Sequence, residues 1–238
     1  MSVPKDEGQG NGAAPRWRRR KDARPDEIVE AALEVFARRG FAAARLEDVA
    51  ARAGISKGTL YLYFPNKEEL FKAAVRTAIV PGIAAGERLA ADPATPSLEV
   101  LRSIVGGIAA RMMTSPAGVI PKLMIAEAGN FPELARFYFD EVIRRGFALL
   151  SSVLEHGIAR GEFRPVPVAA TVRLVIAPVL LMAVWRTSFE AVEGKPQDVD
   201  GIVAAHLDAM GRSLAPDGAE RRPASGGAAR TRAGGDPP

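Results

Sequence analysis

Apolar residues return every three or four positions along most of the chain, the period of a helix and not the alternation of a strand. Ile28, Ala31, Ala32, Val35 and Phe36 follow this spacing and predict a first helix, opened by Pro25 with Asp26 and Glu27 in its first turn and closed by Arg38, Arg39 and Gly40. Leu46, Val49, Ala50 and Ala53 mark a second, short helix that Gly54 stops. Ser56 is placed to cap a third helix running to about Tyr63, where Pro65 forbids continuation. Asn66 with Glu69 three residues on has the form of a capping box, and opens a fourth helix with Leu70, Phe71, Ala74 and Val75 as its buried face. Pro81 breaks or kinks that segment. Longer helices are predicted over about 97–114, 117–129, 132–160, 168–190 and 198–213, separated by Pro- and Gly-containing breaks. No alternating run bounded by hairpin signals occurs. The predicted fold class is all-α, a three-helix head followed by a larger helical body.

At both ends the periodicity fades. Residues 1–24 are rich in Gly and Arg, and residues 215–238 hold four Pro and five Gly without a large apolar side chain. The chain therefore divides into a disordered basic arm (1–24), a head (25–72), a body (73–214) and a disordered tail (215–238). With 47% hydrophobic and 25% charged residues it can bury a core.

The absence of cysteine removes disulfides, thiolate metal sites and a thiol nucleophile, and fits a reducing, cytoplasmic setting. Only two histidines occur: His156, expected at the surface near a helix end, and His206, a candidate for a position by a two-fold axis. With no Gly-rich phosphate loop and no paired-carboxylate motif, no metal, cofactor or catalytic residue is expected. The uncharged run 174–185, bracketed by Arg173 and Arg186, spans twelve residues where a membrane helix needs about 20. It reads as a buried helix, and no membrane partner is expected.

Net charge is +4, yet its distribution matters more than its sum. The arm holds seven Lys/Arg against three Asp/Glu, whereas residues 25–72 hold seven against eight. This surplus invites a nucleic-acid reading of the arm, which either tracks a minor groove or is a solvated tail with only diffuse attraction to nucleic acid.

The segment Gly40–Leu70 carries the chemistry. Helix, a tight turn at Ala53-Gly54-Ile55, and a second short helix form a helix-turn-helix, whose second helix fits a major groove. Ser56, Lys57, Thr59 and Tyr61 are assigned outward from Leu60 and Phe64, offering hydroxyls and an ammonium to base edges; Tyr63 and Lys67 lie a turn further on, within reach of phosphate.

This segment resembles the N-terminal domain of the tetracycline-repressor (TetR) family through Gly40-Phe41, Val49-Ala50, Ala53 to Tyr61 (AGISKGTLY), Tyr63-Phe64 and Asn66 to Leu70 (NKEEL). The resemblance implies that the third helix, including Gly58, enters the major groove, that Thr59 and Tyr61 touch bases, and that Tyr63 and Lys67 contact backbone phosphate. For Tyr61, packing of the third helix on the first is the alternative. Where the family has Ser or Thr at the start of the second helix, this chain has Ala44 and Arg45. A capping hydroxyl is lost, and Arg45 is expected to replace its phosphate contact with an ion pair.

For the body, the resemblance implies a ligand pocket between helices and dimerisation through the last two. Candidate pocket residues are Met112, Met113, Leu123, Met124, Phe131, Phe137, Met182, Trp185 and Phe189, with Glu127 as a polar anchor; ordinary core packing, or for Glu127 a salt bridge, is the alternative. The 168–190 helix is apolar nearly all round, so Leu181 and Val184 on it, with the seam Val203, Leu207, Met210 and Leu214 on the last helix, are candidate dimer contacts. The expected function is a one-component transcriptional regulator: a homodimeric repressor on a palindromic double-stranded DNA operator, released by a small apolar or amphipathic effector. A helical enzyme, or a carrier of apolar molecules without specific DNA binding, are the alternatives.

Overall fold

A computed structural model describes residues 25–216, so the expectations for the arm and for the tail from residue 217 lie outside the described residues. The chain order is α1 (Pro25–Ala43), α2 (Leu46–Ala53), α3 (Lys57–Tyr63), α4 (Lys67–Ala78), α5 (Val80–Ala90), α6 (Ser97–Thr114), a 3-10 turn (Pro116–Val119), α7 (Ile120–Glu127), α8 (Pro132–Tyr138), a π-helical turn (Phe139–Arg144), α9 (Arg145–Ala159), α10 (Val168–Ser188), α11 (Glu190–Glu193) and α12 (Val199–Leu214). No strand occurs among the described residues, as the apolar spacing required.

The punctuation residues act as their chemistry dictates. Gly54 ends α2 at φ 69°, a left-handed conformation that glycine adopts without strain. The Ser56 hydroxyl accepts the Thr59 N–H at 3.1 Å, and Asn66 Oδ1 accepts the Glu69 N–H at 2.8 Å. Only this half of the expected capping box forms, because the Glu69 carboxylate turns to Lys72 at 2.9 Å. Pro81 stands in the first turn of α5, where a missing N–H is harmless. That helix is absent from the periodicity reading. The expected 117–129 helix starts as a 3-10 turn, where Gly118 lies against the Met112 carbonyl so closely that no Cβ would fit. The expected 132–160 helix runs through the π turn at Phe139–Arg144.

The core has two parts. One gathers Ile28, Phe36, Phe41, Val49, Leu60, Leu70 and Phe71 from the head together with Ile120, Leu123, Met124, Leu134 and Tyr138 from the body. At its centre the Phe41 ring meets Phe36 at 5.5 Å, Phe71 at 5.4 Å and, edge-on, Phe131 at 4.9 Å. The expected head boundary at residue 72 falls inside α4, and the head's core continues past it. The second part joins α6, α9, α10 and α12 through Leu101, Val105, Leu150, Leu154, Val175, Val179 and Leu214. Although α10 is long and apolar enough to cross a membrane, with mean hydropathy 2.1, this fold packs its inner face into that core. Its other face leaves Leu174, Leu181 and Phe189 exposed.

A guanidinium fork fastens α5 to α9: Arg145 Nε and Nη2 donate to the two oxygens of Glu87, both at 2.6 Å. This bond to Arg145 holds the Glu87 carboxyl below its ordinary range. A carboxyl lowered on folding stabilises the protein above its unfolded value of 4.5, and the contribution disappears as pH falls through the lowered value. The difference in melting temperature between the protein and its Glu87→Gln variant is therefore expected to shrink on acidification from about pH 6 to about pH 3. A pH-independent difference would show that the fork contributes by shape alone. Replacing Phe41, fully buried, by alanine is expected to cost about 3–5 kcal/mol in urea denaturation.

Candidate nucleic-acid interface and effector cavity

α3 is held by a single inward anchor, Leu60, which is fully buried against the head. At about 100° per residue, the side chains farthest from that anchor are those two residues away, Gly58 and Leu62. Leu62 is 85% exposed, and Tyr61 and Tyr63 flank it at 43% and 45%. The outermost ridge of the helix is thus Tyr61-Leu62-Tyr63, with Gly58 one turn earlier leaving the backbone bare. Leu62 is absent from the expected site residues, although the same wheel arithmetic on the sequence places it opposite Leu60. Tyr61 stands at the surface with Lys57 Nζ 5.6 Å from its ring centre.

The polar groups are organised before any partner arrives. Ser56 Oγ and Thr59 Oγ1 lie 2.8 Å apart and bond each other, and Thr59 is half-buried. Lys57 forms an ion pair with Glu47 of α2, which raises the lysine's affinity for its proton. Arg45 is the N-cap residue of α2 and makes no side-chain cap bond, so the hydroxyl cap is missing and the exposed guanidinium stands beside the first turn.

Lys67 departs from its expected role at phosphate. Its ammonium donates to the carbonyls of Phe41 (2.6 Å), Ala42 (2.8 Å) and Ala44 (3.1 Å) and lies 4.7 Å from the Phe41 ring centre. An ammonium has three hydrogens, and each is engaged. Gly40, at φ 74°, breaks the helix there and leaves these carbonyls in need of donors. Lys67 is therefore the clasp between α4 and the end of α1.

Between α5 and α10 lies a cavity of about 1000 Å³. Its wall is apolar, from Ile79 and Ile83 through Ile104, Ile108 and Met124 to Val142 and Leu149, with Arg111, Arg136, Arg144 and Asp140 as the charged residues. Burial raises the pKa of the Tyr138 phenol in this wall, so it remains neutral. Of the expected pocket residues, Met112 and Met124 line the cavity. The rest serve elsewhere. Leu123 and Phe131 belong to the head-facing core, Met113 and Met182 to the other. Phe137 lies under Arg76 and Lys72. Trp185 and Phe189 pair at 5.1 Å on the outside of α10, where Trp185 Nε1 donates to Glu193. Helical spacing marks an apolar face but not whether that face meets a void or a neighbour.

Two polar contacts join elements that border the cavity to α1 and α4. Glu127 at the end of α7 accepts the Ala42 N–H at 3.2 Å, so it is a tether and not a pocket anchor. Arg76 of α4 donates to Glu141 of the π turn at 3.2 Å. On the far side, Val203, Leu207 and Met210 pack half-buried into their own protomer and Leu214 is 1% exposed, so the expected seam faces inward. Val184 is half-buried; the outward stripe is Leu174, Leu181 and Trp185 on α10, Phe189 at its C-cap and Ile202 on α12. His206 bonds the Val175 carbonyl of its own chain at 2.8 Å, and His156 is exposed.

A sequence profile described as "Bacterial regulatory proteins, tetR family" matches residues 28–74, and one described as "Tetracyclin repressor-like, C-terminal domain" matches residues 92–205. The HTH-type transcriptional regulator YfiR of Bacillus subtilis is 31% identical over 64% of this chain and 74% of its own. Among solved structures, the transcriptional regulator FadR from Bacillus subtilis, in complex with stearoyl-CoA, superimposes with TM-score 0.67 at 19% identity, covering 80% of this chain and all of its own. A SmeT–triclosan complex does so with TM-score 0.67 at 22% identity, covering 82% and 92%.

Arg45→Ala and Lys67→Met test the expected phosphate contact of Arg45 against the clasp made by Lys67. Arg45→Ala is expected to reduce the slope of log affinity against log salt by about 0.9 without changing stability. Lys67→Met is expected to lower unfolding free energy by about 2 kcal/mol, with operator affinity falling only in proportion to the folded fraction. A salt slope that changes with Lys67 and not with Arg45 would reverse these assignments.

Proposed function

Because the chain belongs to the TetR family of DNA-binding transcriptional regulators, we propose that it is a homodimeric repressor released from its operator by a small effector held in the α5–α10 cavity. The observation that carries this reading is the shared core: Met124 and Tyr138 line the cavity and also belong to the cluster that seats Leu60 of α3. A ligand pressing on those side chains acts on the element that positions the reading helix.

The steps follow from the contacts. Two protomers pair through the exposed α10 stripe and place their α3 helices in successive major grooves, about 34–36 Å apart on a palindrome. Leu62 and the Thr59 methyl meet thymine methyls, while Arg45 and Tyr63 fix the backbone. The effector displaces the cavity wall, and the Arg76–Glu141 and Ala42–Glu127 contacts carry the shift to α4 and α1. Heads that no longer match the groove spacing lose affinity by a coupling of about 1–3 kcal/mol. Of the neighbours' ligands, triclosan is largely apolar and stearoyl-CoA joins an apolar acyl chain to a charged nucleotide, which supports an apolar or amphipathic effector. Its place of action is the cytoplasm, with its operator.

A band shift with DNA from beside its own gene, at stated salt and with unrelated competitor, tests the reading. A competitor-resistant complex is expected, and binding that any DNA removes equally would contradict it. In Glu141→Gln the effector is expected to bind as before while operator release weakens several-fold. Unchanged release would remove the Arg76–Glu141 contact from the route.

A further inference from the structure

The cavity exists because side chains are missing from it. Gly107 of α6 and Gly146 of α9 both line it, and a Cβ built on either would meet nothing within 4 Å. Neither glycine has a positive φ, and a helical glycine is less stable than alanine, so the fold itself has no use for them. Gly86 on the same wall is different, since its Cβ would come 2.7 Å from Leu149 Cδ2. The first two glycines keep space open for something other than protein.

The charges around this space do not balance. Arg144 pairs with Asp140 at 2.7 Å and stacks on Phe139. Neighbouring acids are also engaged, Glu87 by Arg145 and Glu141 by Arg76. Arg111 and Arg136 line the cavity and have no carboxylate within ion-pairing distance among the described residues. The Arg111 guanidinium lies beside Gly82, where an added Cβ would meet its Nε at 3.5 Å. At about 1000 Å³ the volume is at the upper end of the ~300–1000 Å³ usual for ligand pockets.

Resting on the effector reading above, we propose that the ligand is a single-chain amphiphilic anion. Its apolar chain lies along the space left by Gly107 and Gly146, and its acidic head is held by Arg111 and Arg136. The chain dries the wall, and the head exchanges the water around these two exposed guanidiniums for direct ion pairs. A free fatty acid and its coenzyme A thioester share this chemistry.

Isothermal titration of the full-length protein, below micelle concentrations, tests it with hexadecanoate, hexadecanoyl-CoA, hexadecanol and dodecanoate. At least one of the two acidic probes is expected to bind about tenfold or more tighter than the alcohol. Tight binding of hexadecanoate identifies the head as a carboxylate, and of the thioester alone as the nucleotide's phosphates. Each methylene removed weakens binding about fourfold, so dodecanoate binds far more weakly than hexadecanoate wherever hexadecanoate binds. In the Arg111→Gln, Arg136→Gln double variant the preference for acid over alcohol is expected to vanish while alcohol binding persists. Gly107→Leu, whose melting temperature reports its folding, is expected to shift the best-bound chain to a shorter one. Equal binding of acid and alcohol, binding of no acidic probe, or equal losses for both in the arginine variant would overturn the proposal. Operator binding without lipid, measured in parallel, fails only if the regulator reading fails, and leaves the acid preference to be judged by itself.

Discussion

The buried contact between Phe41 and Phe131 is the constraint on which the rest of the molecule depends. It makes head and body one core, since Phe41 also touches Phe36 and Phe71, which seat α1 and α4, while Phe131 opens the segment that becomes α8. A head linked only by a flexible joint would keep its own geometry whatever filled the body. Here the dense packing of an interior transmits displacement, because apolar side chains at contact distance have no slack to absorb it. The Lys67 clasp and the Glu127 tether add direction to that contact. Both converge on the few residues after Gly40, where α1 ends and its backbone groups need partners.

The same economy of packing explains the body. α6, α9, α10 and α12 fill their shared core with Leu and Val, while the opposite side of α6 and α9 carries glycines and faces a void. A well-packed half gives a rigid frame, and the other half is left open around the cavity. The π turn sits at the border between them, lining the cavity with Val142 and Ile143 and sending Glu141 to Arg76. Such turns are frequent at functional sites because they displace side chains from regular helical register.

Much of the fold was legible from local chemistry. Gly54, Ser56 and Asn66 each need only a neighbour or two to do their work, so their roles as stop and caps are readable in order along the chain. The helix-turn-helix was legible for the same reason. What was not legible depends on partners far away in sequence. Lys67 meets carbonyls about 25 residues earlier, and nothing local distinguishes a lysine that clasps a helix end from one that meets phosphate. Met112 and Leu123 have similar spacing and burial, yet one meets a void and the other a packed ring cluster. The seam Val203, Leu207, Met210 and Leu214 was a true apolar face whose partner proved to be its own chain. Leu62 carries no local signal, because an exposed leucine is ordinary; it stands out only by its place opposite Leu60 on the second helix of the helix-turn-helix.

If an effector in the cavity releases the protein from its operator, as proposed, the two binding events weaken each other by the same factor. The direct measurement is the affinity of the cavity ligand for the free protein and for its operator complex, under the same salt. The account predicts weaker binding to the complex by about 5–150-fold, matching the factor by which the ligand weakens operator binding. Equal affinity for the free and DNA-bound protein would contradict it.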